Sequence, residues 1–405
     1  MTATFVYKVR DRAGAVHQGT LEAQSEQLVI AKLREMGYVP VSVKQRGRSM
    51  AAADKSIGGK KKVDLRAVAI FSRQLATMVN AGLTIIRALG ILTEQTESKA
   101  LAAVVAEVKG DIERGLSLSQ AISKHPKVFP PVYLSMVRSG ETGGMLDEVL
   151  LRLSVTLEKQ LELKRKIKSA MAYPIAIGCI IVLIVSAMLM FVVPMFEGMY
   201  NDLGGTLPVP TRVLIALSGA LTTYWWMIGL SVFAATFLLR RWAATPNGRF
   251  SLDRVKLKMP VFGLLVHKTA IARFTRTLAS LIRSGVPIME ALDIVGETAG
   301  NAVVARAVMA AKDQVRVGQS LSASLGTHPV FPDMVVQMMA VGEETGALDE
   351  MLEKIAEFYD SEVSATVDAL TSLIEPLLMV AMGVTVGGMV VALYLPMFQI
   401  INLVN

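Results

Sequence analysis

At 405 residues, 52% hydrophobic and only 19% charged, with a mean hydropathy of +0.47, the chain is too apolar for an ordinary soluble enzyme of its size and belongs in a membrane. Its formal net charge of +8 would suit nucleic acid, but the Lys and Arg residues gather beside apolar runs rather than in aromatic-interleaved basic stripes, so no nucleic-acid partner is expected. The one cysteine, Cys179, lies in an apolar run and excludes an intrachain disulfide or a cysteine-based metal cluster.

The first 44 residues read as a small α+β module. FVYKV and QGTLEA, with DRAG between them, suggest two strands around a turn, and YVPVSVK a third. Between them SEQLVIAKLREMG reads as a helix with Ser25 as N-cap and Gly37 just past its end. The stretch MTATFVYKVRDRAG has no apolar core after a basic start, so insertion is expected to use internal segments. Gln45 to Lys62, QRGRSMAAADKSIGGKKK, mixes Gly, Ser and bases without periodicity and reads as a flexible tether. A linker is therefore placed at residues 45–63.

Residues 64–168 form a first helical domain. In LRAVAIFSRQLATMVNAG the apolar residues recur mostly at three- and four-residue steps, with Gly82 as the stop. Gly110, Gly115, Pro126 and Pro130-Pro131 divide the rest of the domain into short helices, and a longer pattern from Leu146 runs towards the membrane. Three segments without charge are long enough to cross it, since about 20 apolar residues suffice: Ser169 to Phe196, Val213 to Leu239, and Pro376 to Asn405. Lys159, Lys164, Arg165, Lys166 and Lys168 precede the first, whereas the loop 197–212 has Glu197, Asp202 and, at its far edge, the dissenting Arg212. Arg240, Arg241, Arg249, Arg254, Lys256 and Lys258 come after the second. The positive-inside rule then puts 1–168 and 240–373 in the cytoplasm, with an outside loop and an outside C-terminal span, 374–405.

The second cytoplasmic segment repeats the first. FSRQLATMVNAGLTIIRALGIL (Phe71 to Leu92) aligns with FTRTLASLIRSGVPIMEALDIV (Phe274 to Val295), a shift of 203. GLSLSQAISKHPKVFP aligns with GQSLSASLGTHPVFP, the first copy having one extra residue, and the shift is 202 from there on. SGETGGMLDE (139–148) thus pairs with VGEETGALDE (341–350), Pro174 with Pro376, and Pro194-Met195-Phe196 with Pro396-Met397-Phe398. The repeating unit is a cytoplasmic helical domain plus the transmembrane helix directly after it. The unpaired middle helix returns the chain so that both copies face the same way, making a parallel tandem repeat.

No nucleotide, metal or nucleophile constellation is found, so neither an enzyme nor a cofactor is expected. The nearest approach to a P-loop, Gly59-Lys60, has Asp54 where a Gly and Lys61 where a Ser or Thr is required. His125 and His328, each before a proline, lack a second ligand at i+3 or i+4 and suit turns. Within the acidic motif, Gly140 and Gly342 are expected to take the left-handed backbone that ends a helix, and Thr142 and Thr345 to cap the next. Asp147-Glu148 and Asp349-Glu350 fall in a first turn, where the helix dipole favours negative charge. Glu141 and Glu343 sit at the unfavourable end of a dipole and call for a partner: backbone N–H groups of the next helix, a base, a cation or another subunit. An internal bond locking the corner leads these readings. The candidate partner-binding or helix-corner residues are Glu141, Gly144, Asp147, Glu343, Gly346 and Asp349, with Arg73 and Arg276 on the paired opening helices. Glu375, an acid at the edge of the third span, is a functional candidate, although Glu375-Pro376 also suits a helix start.

Together these residues resemble the PilC/GspF family of inner-membrane assembly-platform proteins of type IV pili and type II secretion systems. The resemblance spans nearly the whole chain and is carried by the N-terminal module, the paired FSRQLATMVNAG/FTRTLASLIRSG starts, the doubled HP…FP and GE…G.LDE motifs, and KIKSAMAYPI entering the first span. The wording FSRQLATMVNAG, KHPKVFPP and RSGETGG is closer to the pilus branch. The second copy departs by reading GEETG and by having Glu375 where the first has Tyr173. The resemblance implies a non-enzymatic platform in a bacterial inner membrane. It is expected to self-associate, to contact a cytoplasmic hexameric ATPase, to receive pilin or pseudopilin subunits and to meet inner-membrane alignment proteins. The expected architecture is an all-α membrane protein: two tandem helical-bundle domains of about six helices each, three transmembrane helices and the small α+β module. A different class, a three-helix permease or channel with Glu375 handling ions, is the alternative.

Overall fold

The structure, a computed structural model, describes residues 3–10, 16–23, 26–35, 39–45, 63–202, 208–260 and 262–404. Two compact units emerge, residues 1–62 and 63–405. In the first, strands β1 (Ala3–Arg10), β2 (Val16–Ala23) and β3 (Val39–Gln45) form an antiparallel sheet in the order β2-β1-β3, with Phe5 opposite Leu21 and Gln45. The register of β3 slips between Lys8 and Val9, opposite Pro40. A proline is tolerated there because β3 is an edge strand and its nitrogen has no donor to contribute to a ladder. Helix α1 (Glu26–Glu35) buries Val29 and Leu33, one turn apart. Ser25, Gly37 and the tether at 46–62 lie outside the described residues.

The second unit is helical throughout its described residues. Its first repeat runs α2 (Leu65–Asn80), α3 (Ile85–Gln95), α4 (Lys99–Glu113), α5 (Leu118–Ser123), α6 (Pro131–Gly143) and α7 (Leu146–Ala187). A π-helical turn (Met188–Val192) and α8 (Val193–Asp202) come next, then α9 (Val209–Ala243) and α10 (Pro246–Lys258). The second repeat is α11 (Phe262–Arg283), α12 (Ile288–Thr298), α13 (Ala302–Arg316), α14 (Leu321–Gly326), α15 (Asp333–Thr345) and α16 (Leu348–Val404). Helix α10 has no counterpart among the described residues of the first copy. Its buried Asp253 accepts the N–H of Ala302 at 3.0 Å and so holds the start of α13.

Local signals place these elements. The apolar stripe of α2 buries Val68, Ala69, Phe71, Leu75 and Ala76, the three- and four-residue spacing of a core-facing helix. Ser117 and Gln120 form a capping box at α5, and Asn301 accepts two backbone N–H groups at the start of α13. Both bundles close on the same aromatic contact. Phe71 meets Phe129 with ring centroids 6.2 Å apart, and their equivalents Phe274 and Phe331 meet at 5.0 Å. This assigns the HP…FP motif its work: its phenylalanine fills the core against the opening helix.

Three helices, within Leu146–Met199, Val209–Ala243 and Leu348–Pro396, are long and apolar enough to cross a membrane. The first and third do not begin at the membrane. Helix α7 passes from its bundle into the span as one helix of 42 residues, with Pro174 inside it, and α16 does the same over 57 residues, with Pro376 and Pro396 inside. Glu375-Pro376 is therefore interior to a helix rather than its start. Proline has a helix-compatible φ, and its one missing donor is tolerated where the apolar run continues on both sides. Ahead of Pro194 the helix does widen, into the π turn, because the proline nitrogen cannot donate back into the preceding turn. The middle span is stitched to both others by hydroxyls: Ser218 Oγ donates to the Leu189 carbonyl and Thr211 Oγ1 to that of Ala392, each at 2.5 Å. Where the long helices leave their bundles, Leu163, Ile167 and Ala170 pack against Leu265, Val363, Val367 and Leu370. Beside them Lys166 Nζ lies 3.1 Å from Asp368 Oδ2, two positions related by the repeat.

Candidate functional site

The acidic motif is the C-terminal turn of α6 and α15, not the linker after them. Gly140 and Glu141 remain helical, as do Gly342 and Glu343, and the left-handed residues are Gly144 (φ 69°) and Gly346 (φ 70°). Gly140 and Gly342 are instead required by close approach. A Cβ on Gly140 would meet Val149 Cβ at 3.0 Å and Leu146 Cα at 3.2 Å, and one on Gly342 would meet Leu348 Cα at 2.9 Å. Each GE glycine thus lets the long helix cross hard against the helix before it. Thr142 and Thr345 do not cap the next helix: their hydroxyls donate back to the carbonyls of Arg138 and Val341, at 2.9 and 2.7 Å. A hydroxyl inside a helix finds its acceptor one turn back before it can reach forward.

Glu141 and Glu343 reach across to the preceding short helix. The two oxygens of Glu141 accept the N–H groups of Leu118 and Ser119, at 2.5 and 3.0 Å. Those of Glu343 accept from Leu321 and Ser322, at 2.6 and 2.9 Å, and the Ser322 hydroxyl donates as well. These donors are the free N–H groups that open α5 and α14, so a carboxylate disfavoured at the end of one helix dipole is held at the favourable start of another. The donors come from the helix before, not the helix after. Asp147 and Asp349 lie in the first turns of α7 and α16.

Arg73 and Arg276 tie each opening helix to its long helix. Arg73 Nε donates to Glu158 Oε1 at 2.7 Å while Nη2 bonds Oε2, a two-pronged pair. Arg276 pairs with Asp360, the repeat equivalent of Glu158. The two differ in environment. The hydrogen bond to Glu158 raises the Arg73 guanidinium above its ordinary value, whereas burial lowers that of Arg276 despite nearby Glu162 and Glu357. Glu158 and Asp360 are the ion-pair partners of these arginines that reading the sequence missed. The repeat held the signal, since an arginine and an acid recur together at the two matching positions.

A cleft of about 620 Å³ lies where α7, α11 and α16 meet, lined by Arg152, Lys159, Arg276, Glu148, Glu357 and Asp360 among others. Its charges are mixed in sign, which suits a seam between packed helices better than a pocket for one kind of ion. Among the described residues no His, Cys, Asp or Glu cluster could hold a metal. His125 and His328 shape turns: the N–H groups of Phe129 and Phe331 donate to their carbonyls, each at 3.0 Å. Glu375 is exposed on α16, beside exposed Leu373 and Leu377, and is not brought together with the other candidates.

The family described as type II secretion system (T2SS), protein F matches residues 71–194 and again 274–396. A companion family, its N-terminal domain, matches residues 1–44. The doubled match starts at Phe71 and Phe274 and ends at Pro194 and Pro396, each a matched pair of the internal repeat. Over 399 residues, 98% of each chain, the sequence is 46% identical to a type IV pilus assembly protein PilC of Thermus thermophilus. A protein of the same description from Myxococcus xanthus is 40% identical over 98% of this chain and 95% of its own. A type II secretion system protein F of Aeromonas hydrophila is 34% identical over 95% of this chain and 99% of its own.

Proposed function

The chain belongs to the type II secretion system protein F family, the multi-pass inner-membrane platform proteins of type IV pili and type II secretion, and from that premise we propose that it serves a pilus assembly machine. Identities of 46% and 40% to relatives described as pilus assembly proteins, against 34% to one described as a secretion protein, support the pilus branch. In this reading the bundles and the N-terminus face the cytoplasm, the C-terminal end faces the periplasm, and the basic residues before the first span and after the second lie at the inner surface. The bundles receive a hexameric ATPase, pilin helices pass beside the spans, alignment proteins meet it in the membrane, and the platform self-associates. The chain contributes no chemistry of its own. Its work is mechanical.

One observation supports the mechanism: in each repeat a single helix belongs to a helical bundle at one end and is an apolar span at the other. The arginine clamps fasten that helix to the opening helix of its bundle, and the GE corner fastens its start. Displacement of a bundle by the ATPase is thereby delivered to the span without a flexible joint. A Gly/Ser insertion between the Glu158 turn and Ser169 should leave the protein in the membrane and abolish surface pili. Normal piliation in that variant would overturn the coupling. Substrate flux through reconstituted protein that disappears in Glu375→Gln would favour a permease instead.

A further inference from the structure

Besides the packing of the equivalent long helices α7 and α16 on each other, the two bundles of one chain touch through unlike faces. The end of α6 and the start of α7 in the first repeat dock on the α11–α12 corner of the second. Arg138 pairs with Glu290, and Arg152 donates to the Arg283 carbonyl. Ser139 Oγ donates to the Ser284 carbonyl at 2.5 Å, and Thr156 and Ser280 share a hydroxyl bond of 2.9 Å. Such a head-to-tail contact, made once between two copies of a unit, leaves one half of each kind without a partner. Both unused halves are exposed here. On the second repeat they are Val341 and Phe358, 51% and 45% exposed, at the positions of Ser139 and Thr156. On the first repeat they are Thr77, Ala81 and Gly82, all exposed, at the positions of Ser280, Ser284 and Gly285, of which Ser284 is buried by the contact within the chain.

The charges on these halves are also complementary, with the signs exchanged. Where the internal contact has Arg138 facing Glu290, the second repeat has Ala340 with Glu344 one turn further along the same helix face, and the first repeat has Arg87 at the position of Glu290. Arg87 and Glu344 are both exposed, and neither has an ion-pair partner among the described residues. Val341, Phe358 and the exposed Ile86 make this pair of faces more apolar than the internal one, as the centre of a subunit interface requires. From this we infer that the α15–α16 corner of one chain docks on the α2–α3 corner of a second copy, repeating the internal contact between molecules, with Glu344 and Arg87 replacing Arg138 and Glu290. The inference rests on the reading of the chain as a self-associating platform and specifies the surface it uses.

The test uses the full-length chain in native membranes, in a Cys179→Ser background. One tagged version carries Val341→Cys and a differently tagged version carries Ala81→Cys. Oxidation should link the two versions when co-expressed and link neither to itself. Glu344→Arg and Arg87→Glu should each lower the yield by up to about fivefold, and the double exchange should restore it. Self-linking through Val341→Cys alone would put that corner on a two-fold axis and overturn the proposal. Protein that is oligomeric by native mass but gives no mixed link would overturn the surface and leave self-association standing. A monomeric protein would overturn both.

Discussion

Glu141 and Glu343 each close one helix and open another, so their removal unseats two elements at once. Glu141→Ala leaves the N–H groups of Leu118 and Ser119 without acceptors and should cost about 1–3 kcal/mol in unfolding experiments on the detergent-solubilised protein. Glu343→Ala should cost at least as much, because the Ser322 hydroxyl is orphaned as well. Gly140→Ala and Gly342→Ala test the close crossing, each expected to cost about 1–3 kcal/mol by overpacking. Gly342→Ala should be the worse of the two, since the nearest atom to its new methyl is backbone at 2.9 Å. Asp111 gives a signature in acid. Hydrogen bonds from Lys124 and then Arg114 hold its carboxyl below the ordinary 3.8. The lowered folded value means that its stabilisation is complete above that ordinary pKa and is lost as pH falls through the folded one. Melting temperatures of Asp111→Asn measured down to acid pH should therefore decline less steeply than those of the parent.

At the level of elements, the positions of the helices were legible because each carries its own signal: an apolar stripe, a capping serine or a proline at its start. Contacts made by backbone were not. The GE corner reads in the sequence as a loop after a helix, since glycine beside glutamate suggests a break. Only the three-dimensional crossing shows Gly140 to be a contact residue and Gly144 the break. Leu118 and Ser119 could not have been named as partners of Glu141, because an N–H group is the same for every residue type. The arginine clamps were half legible: Arg73 and Arg276 could be paired by the repeat, but their acids lie 85 and 84 residues downstream, across four intervening helices. Charge reversal at Arg73 should detach α2 from α7. Limited proteolysis of Arg73→Glu should open that bundle before the second one, and Glu158→Arg in the same chain should reverse the effect.

For the whole molecule, the repeat explains both the likeness and the difference of the two halves. The same core contacts recur, yet the second copy has its α11–α12 corner covered, so it has fewer exposed positions there than the first has at its α2–α3 corner. Labelling of single cysteines placed in α4 and in α13 with a membrane-impermeant reagent should fail in intact cells and succeed once the inner membrane is opened. Labelling of either position from outside would reverse the assigned topology. The uninterrupted run of α7, 42 residues or about 63 Å, also makes angle matter as well as distance. Each helical residue turns the chain by about 100°, so a single alanine added between Glu158 and Ser169 should swing the lipid-facing side of the first span away from its neighbours while leaving the helix intact. Four added residues bring it back to within about 40°. Piliation that falls with one alanine and partly returns with four would mean that the bundle sets the compass bearing of the span, not merely its depth.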